Sequence, residues 1–285
     1  MKLRVGFVGL GNIGRPMAAR LVAEGMHTTV YDVDAAAVAA LVDLGAHAAT
    51  AAQELAAAAD VTGVCVRDDE QLRAVVTGGD GLLAGASEGD MIAVHSTVLP
   101  DTVRELAVLA EQQGVLLIDA CITGGASGAE QGTLTSMVAG DQAALDRARP
   151  YLDAFSASVL ATGPVGSAAA TKLCNNLVTY LEFLAAFESR LLAVGSGLDP
   201  DTLERVLISN GNLTEQMQSF LALHKLPAAT REDAGLQTML AGFAGLAEKD
   251  LALTLEYATQ NGVELPGTER CQQLMRRVYG VIAPA

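Results

Sequence analysis

Residues Val5-Gly6-Phe7-Val8-Gly9-Leu10-Gly11-Asn12-Ile13-Gly14 carry an apolar run straight into three glycines, and a helical pattern opens behind them over residues 13–24. An apolar strand, a G-x-G-x-x-G turn and a helix, in that order, form the setting in which this glycine spacing binds a dinucleotide. Gly9 permits the tight turn, Gly11 lets the backbone approach a pyrophosphate, and Gly14 lets the helix pack on the strand. Asn12 and Ile13 complete the turn, and the helix N-terminus faces the negative charge. Asp32 closes the next strand candidate, 18 residues after Gly14. A carboxylate there accepts hydrogen bonds from the adenosine ribose hydroxyls and repels a 2′-phosphate. Val33 and Asp34 follow, with no arginine for that phosphate, so the spacing predicts NAD rather than NADP. Asp34 also serves as the N-cap of the next helix.

Outward from this stretch, short apolar runs at residues 3–8, 28–31, 61–66, 91–95, 115–119, 135–139 and 158–161 alternate with helical patterns such as 35–44, 102–113 and 142–151. Such alternation argues for βαβ units and a largely parallel sheet. Thr102 and Glu105 read as a capping box after Pro100. Past Gly166 the strand-like runs stop. Residues 167–194 form one long helical candidate with Leu173, Leu177, Leu181, Leu184 and Leu191 at helical spacing, followed by helices near 200–208, 213–223, 234–261 and 267–279. The expected fold is an α/β Rossmann-type N-terminal domain (residues 1–163) and an all-α C-terminal domain (164–285), joined by that long helix.

The composition excludes several classes. Of 285 residues, 51% are hydrophobic and 18% charged, which excludes a disordered chain. With 33 acidic and 18 basic side chains the net charge is −15, unsuited to nucleic acid or an anionic membrane surface. Cys65, Cys121, Cys174 and Cys271 show neither metal-ligand nor disulfide spacing, so no metal is expected, and the reading is a cytoplasmic protein. Residues 154–171 lack charge but are broken by Gly163, Pro164 and Gly166, so they are no membrane span.

Four motifs in order, Gly9 to Gly14, Asp119-Ala120-Cys121-Ile122-Thr123-Gly124-Gly125, Gly163-Pro164-Val165-Gly166 with Lys172 and Asn176, and Lys249-Asp250-Leu251, resemble those of the β-hydroxyacid dehydrogenases over nearly the whole chain. That family includes 3-hydroxyisobutyrate dehydrogenase and tartronate semialdehyde reductase. The resemblance implies NAD-dependent interconversion of a small β-hydroxy acid and its semialdehyde or keto acid. It also implies homodimers or homotetramers through the helical domain. The alternative is an aldehyde or imine reductase on the same scaffold; imine reductases share the layout but usually replace the lysine. A 6-phosphogluconate-type enzyme has a much longer helical domain, and a non-catalytic binding module would lose the lysine.

Lys172 lies beside Ala168, Ala169 and Ala170, whose small side chains leave room for an amine to exchange a proton with a hydroxyl. The family's catalytic lysine matches it. Asn176, four residues on and on the same helix face, either orients that amine or holds the substrate hydroxyl. Cys174 points elsewhere and reads as a core thiol. Thr123, Gly124 and Gly125 offer backbone N–H groups and a hydroxyl to a carboxylate, and in the family this segment binds the substrate's acid group. Cys121 and Thr123 stand where the family has Pro and Ser. Cys for Pro is expected to loosen a turn, and Ala168 for the usual glycine to crowd a ligand. By resemblance, Lys249 reaches toward nicotinamide or substrate, while Asp250 supports local structure. Val66 and Arg67, at and just past the end of the 61–66 strand, and Ser96 and Thr97, after the 91–95 strand, lie where ligands bind in doubly wound sheets. Arg67 either stacks on adenine or pairs with Asp68 or Asp69. His95 reads as a strand-end histidine with a local hydrogen bond rather than a base. Residues 209–212 and 239–243 are expected to line the variable part of the substrate pocket.

Overall fold

A computed structural model describes residues 3–282 of the chain. The chain divides into two compact units, with the division between Lys172 and Leu173.

In the first unit, β1 (Arg4–Val8), α1 (Gly14–Ala23), β2 (His27–Tyr31), α2 (Ala35–Val42), β3 (His47–Ala48), α3 (Ala52–Ala57), β4 (Val61–Val64), α4 (Asp69–Thr77), α5 (Leu82–Gly85), β5 (Met91–Val94), α6 (Pro100–Glu111), β6 (Leu116–Thr123), α7 (Gly125–Gln131), β7 (Leu134–Ala139), α8 (Gln142–Leu152) and β8 (Ser156–Gly163) follow one another. The eight strands form one sheet in the order β3-β2-β1-β4-β5-β6-β7-β8. All neighbouring pairs are parallel except β6 with β7. Strand order reverses between β1 and β4, so the turns after these two strands flank the topological switch point, where doubly wound sheets bind ligands.

Side chains alternate across the sheet. Met91 and Ala93 of β5 and Ile118, Ala120 and Ile122 of β6 join one core with Met17, Leu21 and Tyr151 from helices and Phe155 from the turn before β8. Ile92, Val94, Leu117 and Cys121 join the opposite core with Leu55, Leu72, Val103 and Leu106. Burial on both faces explains why the central strands read as continuous apolar runs.

Several boundaries differ from the sequence reading. The 61–66 candidate ends at Val64, because the Val66 N–H donates to Ser96 Oγ (2.8 Å) instead of continuing the ladder. The 115–119 candidate runs on to Thr123, because β7 pairs antiparallel with it from Asp119–Ala139 to Thr123–Thr135. Cys121, paired there with Met137, therefore lies inside a strand and loosens no turn. The capping box does not form: Leu99 is the N-cap of α6, and Pro100 opens it. The Thr102 hydroxyl instead donates to Asp69 Oδ1 (2.6 Å), and Glu105 pairs with Arg73 (3.0 Å).

The second unit is helical. α9 (Ser167–Gly195) spans the division between the units and is followed by α10 (Pro200–Ser209), α11 (Glu215–Ala222), a 3₁₀ turn (Leu223–Lys225), α12 (Ala228–Arg231), α13 (Ala234–Gln260) and α14 (Pro266–Val278). The two compact units divide within α9, because the first turn of α9 places Ala168 and Ala169 in the sheet's second core. The second unit's core gathers Phe183 and Phe187 of α9, Phe220 of α11, Leu251 of α13 and Met275 of α14. The Phe183 and Phe220 rings stack at 4.3 Å. Phe183 and Phe187 are buried aromatics of α9, Leu173 is fully buried, Leu181 and Leu184 pack against the second unit's core, and Leu191 is 43% exposed. Cys174 is also exposed, contrary to its reading as a core thiol, because it lies between the buried positions Leu173 and Asn176 on the outer side of the helix. No helix among the described residues is long and apolar enough to cross a membrane.

Candidate functional site

The turn after β1 is held from two sides. The Gly9 N–H donates to the Tyr31 carbonyl (3.1 Å), and the Leu10 N–H donates to Asp32 Oδ2 (2.5 Å). Asp32 Oδ1 accepts the Asp34 N–H (2.8 Å), while the Asp34 side chain caps α2 through the Ala36 N–H (2.9 Å). Gly9 has φ 90°, and a Cβ there would sit 2.2 Å from the Cys65 carbonyl oxygen. A Cβ on Gly14 would sit 1.9 Å from the Gly9 carbonyl oxygen, whereas one on Gly11 would meet nothing within 4 Å. Packing therefore requires glycine at 9 and 14, and space beside Gly11 stands open.

The N-cap of α1, Ile13, makes no side-chain cap; the Arg15 N–H donates to the Gly11 carbonyl (3.1 Å) and Pro16 carries no N–H, so an anion at this helix start meets the backbone of residues 11–14. Beside the turn is a hollow of about 330 Å³, lined by Leu10, Gly11, Asn12, Arg15, Asp34, Ala36 and Ala37. Open backbone at a helix N-terminus, next to a strand-end carboxylate, fits the pyrophosphate and ribose of a dinucleotide. Sequence reasoning missed Arg15. Its signal was its place directly after Gly14, where a helix's first turn borders the same space.

The other expected cofactor residues occupy strand ends. Val66 and Ser96 are joined by their hydrogen bond, and Ser96 is buried. Thr97 follows it, half-buried. Arg67 is exposed and makes no ion pair among the described residues. Asp68 caps α4 through the Gln71 N–H (2.9 Å), and Asp69 accepts from Leu99 and Thr102, so neither is its partner. His95 is fully enclosed. Its Nδ1 lies 2.6 Å from the Ala120 carbonyl, which can only accept, so this nitrogen carries the proton, and Nε2 accepts from the Tyr151 hydroxyl at 2.7 Å. Burial pushes its pKa down to about 4, which marks a neutral core histidine and not a surface base.

β6 leads from the sheet to the glycine pair. Thr123 ends the strand, and Gly124 and Gly125 turn with φ 125° and 69°. Four residues earlier, Asp119 is completely buried and accepts the N–H groups of Gly166 (3.1 Å), Ala168 (2.8 Å) and Ala169 (2.9 Å). Burial pushes the Asp119 carboxyl up, and these backbone donors pull it partly back. Strand β6 is thereby clamped to the start of α9. The Ala168 methyl is fully buried in the core, so it crowds no ligand.

Further along α9, Lys172 is half-buried and Asn176, one turn later, is buried. Asn176 Nδ2 donates to Asp250 Oδ2 (2.7 Å), which also accepts the Tyr180 hydroxyl (3.1 Å). The Lys249 ammonium lies 2.8 Å from Asp250 Oδ1. The structure thus gathers Asn176 and Lys249 around one carboxylate, which the sequence had credited only with local support.

A Rossmann-type sheet with an open glycine turn, followed by a long helix that carries a lysine and an asparagine one turn apart, defines a nicotinamide-dependent oxidoreductase class. Residues 4–163 match the family model described as the NAD binding domain of 6-phosphogluconate dehydrogenase. Residues 166–281 match the model described as NAD-binding of NADP-dependent 3-hydroxyisobutyrate dehydrogenase. An NAD-dependent L-serine dehydrogenase of Pseudomonas aeruginosa is 33% identical, covering 92% of this chain and 88% of that protein. The 3-hydroxyisobutyrate dehydrogenase of the same organism is 33% identical, covering 89% and 85%. The structure of Mycobacterium tuberculosis 3-hydroxyisobutyrate dehydrogenase with L-serine is similar at a TM-score of 0.83 and 28% identity, covering 97% of this chain and 94% of that one. The chain belongs to the β-hydroxyacid dehydrogenase family, and its N-terminal unit is an NAD-binding domain.

Proposed function

We propose that this protein interconverts a small β-hydroxy acid, similar to 3-hydroxyisobutyrate or serine, and its semialdehyde or keto acid, with NAD preferred over NADP. The observation that carries the reading is the Asp119 clamp. It fixes the strand ending in Thr123, Gly124 and Gly125 to the helix that carries Lys172 and Asn176.

Gly9, Gly11, Asn12, Ile13 and Gly14 hold the pyrophosphate, Asp32 the adenosine ribose, and Val66, Arg67, Ser96, Thr97 and Lys249 further parts of the cofactor. Bound nicotinamide supplies the hydride acceptor. The Thr123 hydroxyl and the backbone N–H groups of Gly124 and Gly125 hold the substrate carboxylate. Lys172 Nζ takes the hydroxyl proton during oxidation and returns it during reduction. Asn176 fixes the geometry beside it.

NAD preference rests on Asp32, whose charge at the strand end opposes a 2′-phosphate. Arg15, in the wall of the same hollow, leaves a residual NADP activity. The protein is read as a homodimer or homotetramer assembling through the helical unit, where Val178, Leu192, Val194, Leu198 and Val206 stand exposed. Its four free thiols suit the cytoplasm.

The test is nicotinamide absorbance with NAD and with NADP against 3-hydroxyisobutyrate, serine, glycerate, threonate, 4-hydroxybutyrate and phenylserine. Turnover favouring NAD on at least one acid supports the reading. Tight NAD binding with no turnover on any of them refutes it.

A further inference from the structure

We propose that Asp250 is a positioning residue that sets which end of the Asn176 amide is presented on the Lys172 face of α9. The proposal deepens the dehydrogenase reading and rests on it. The two ends of an asparagine amide are nearly the same size, so packing alone does not choose between them. A carboxylate does, because it only accepts.

Asp250 is 2% exposed, and its Oδ2 lies 2.7 Å from Asn176 Nδ2. One N–H of the Asn176 amide is committed there, which turns the NH₂ end toward Asp250 and Oδ1 away from it. The Asn175 amide reaches Oδ1 only at 3.3 Å. Asn176 therefore acts as an acceptor. Oδ1 can accept a hydrogen bond from the lysine ammonium or from a substrate hydroxyl, but it offers no N–H to a substrate oxygen.

Two further groups hold Asp250 in place. Tyr180, one turn beyond Asn176, donates its hydroxyl to the same Oδ2 at 3.1 Å. Burial holds the Tyr180 phenol well above its usual pKa, so it keeps the proton it donates. The Lys249 ammonium sits 2.8 Å from the other oxygen, Oδ1. One buried carboxylate thus orients Asn176 and Lys249, both assigned to the site above, from helices α9 and α13.

Asp250→Asn keeps the volume but puts a donor and an acceptor where there were only acceptors, which removes the compulsion on Asn176. With a hydroxy acid that supports turnover, kcat is expected to fall about ten- to a hundredfold, the equivalent of one lost charge-assisted hydrogen bond. Asp250→Asn combined with Asn176→Ala should be no slower than Asn176→Ala alone, because the first residue acts through the second. Multiplicative losses would overturn the proposal.

The side-chain amide NMR signals of the asparagines give a readout independent of turnover, and in the wild-type protein they need no variant to fold. The Asn176 amide protons should exchange with solvent about tenfold or more slowly than those of exposed Asn12, because one is bonded to a buried acceptor. Equal exchange would overturn the proposal. If no hydroxy acid gives Lys172-dependent turnover, the dehydrogenase reading fails; a slowly exchanging Asn176 amide then still supports the orientation, and a fast one overturns it.

Discussion

Asp119, in the middle of β6, accepts the backbone N–H of Ala169 at 2.9 Å, fifty residues away along the chain, at the first turn of α9. With Gly166 and Ala168 it gives one carboxylate three backbone donors at a helix start, where the macrodipole also favours negative charge. The bond joins the strand leading to Thr123 with the helix leading to Lys172. Asp119→Ala would leave three buried donors without an acceptor and lose that join. We expect a loss of about 3–5 kcal/mol in unfolding free energy by urea titration. A loss under about 1 kcal/mol would mean the clamp contributes little.

The two glycines of the fingerprint that differ most in surroundings should separate folding from binding. Gly14→Ala forces a methyl against the Gly9 carbonyl and should cost about 1–3 kcal/mol of stability. Gly11→Ala meets nothing in the protein, so thermal stability should hold. NAD affinity should fall about tenfold, because the methyl occupies space assigned to the pyrophosphate. Calorimetry and cofactor titration on both variants check this. Normal NAD affinity in Gly11→Ala would move the pyrophosphate elsewhere.

Asp32 and Arg15 make opposed demands on the cofactor's ribose. Asp32→Ser removes the repulsion and keeps a hydroxyl, while Arg15 remains on the wall of the hollow. The ratio of kcat/KM for NADP to that for NAD should rise about ten- to a hundredfold. Adding Arg15→Ala should reverse most of the gain. An unchanged ratio in Asp32→Ser would remove Asp32 from cofactor selection.

Much of this architecture was legible because it is local. The glycine turn, its strand and its helix lie within residues 4–23, and the long α9 follows from an unbroken helical pattern closed by Gly195 and Gly197. What escaped depends on distant partners. Asp119 finds its donors 47 to 50 residues away, and Asp250 meets Asn176 across 74. Thr102 and Glu105 satisfied the local pattern of a capping box, but Asp69 and Arg73 on another helix claimed them. The short helices α3, α5 and α7 and the two-residue β3 carry too few residues for a period to show. The leucine spacing marked α9 as a helix, but not that Phe183 and Phe187 are buried aromatics in the second unit's core.

His95 should give the folded protein an acid sensitivity. The ordinary histidine value is 6.5, and burial lowers that of His95 to about 4 in the folded state. The unfolded chain therefore binds this proton first. The His95 contribution to stability is complete above about pH 6.5 and is lost as pH falls toward about 4, by about 3 kcal/mol. His95→Gln retains a donor for the Ala120 carbonyl and does not titrate. Urea unfolding across this range should show the wild type losing stability faster than the variant. Parallel curves would contradict the buried neutral histidine.

The central claim is that Lys172 moves the proton. Steady-state turnover of Lys172→Ala on the best hydroxy acid, beside NAD titration of the same protein, tests it most directly. The account predicts kcat about a hundred- to ten-thousandfold below wild type, with NAD affinity within about twofold. A kcat within about tenfold of wild type would show that another group carries the proton.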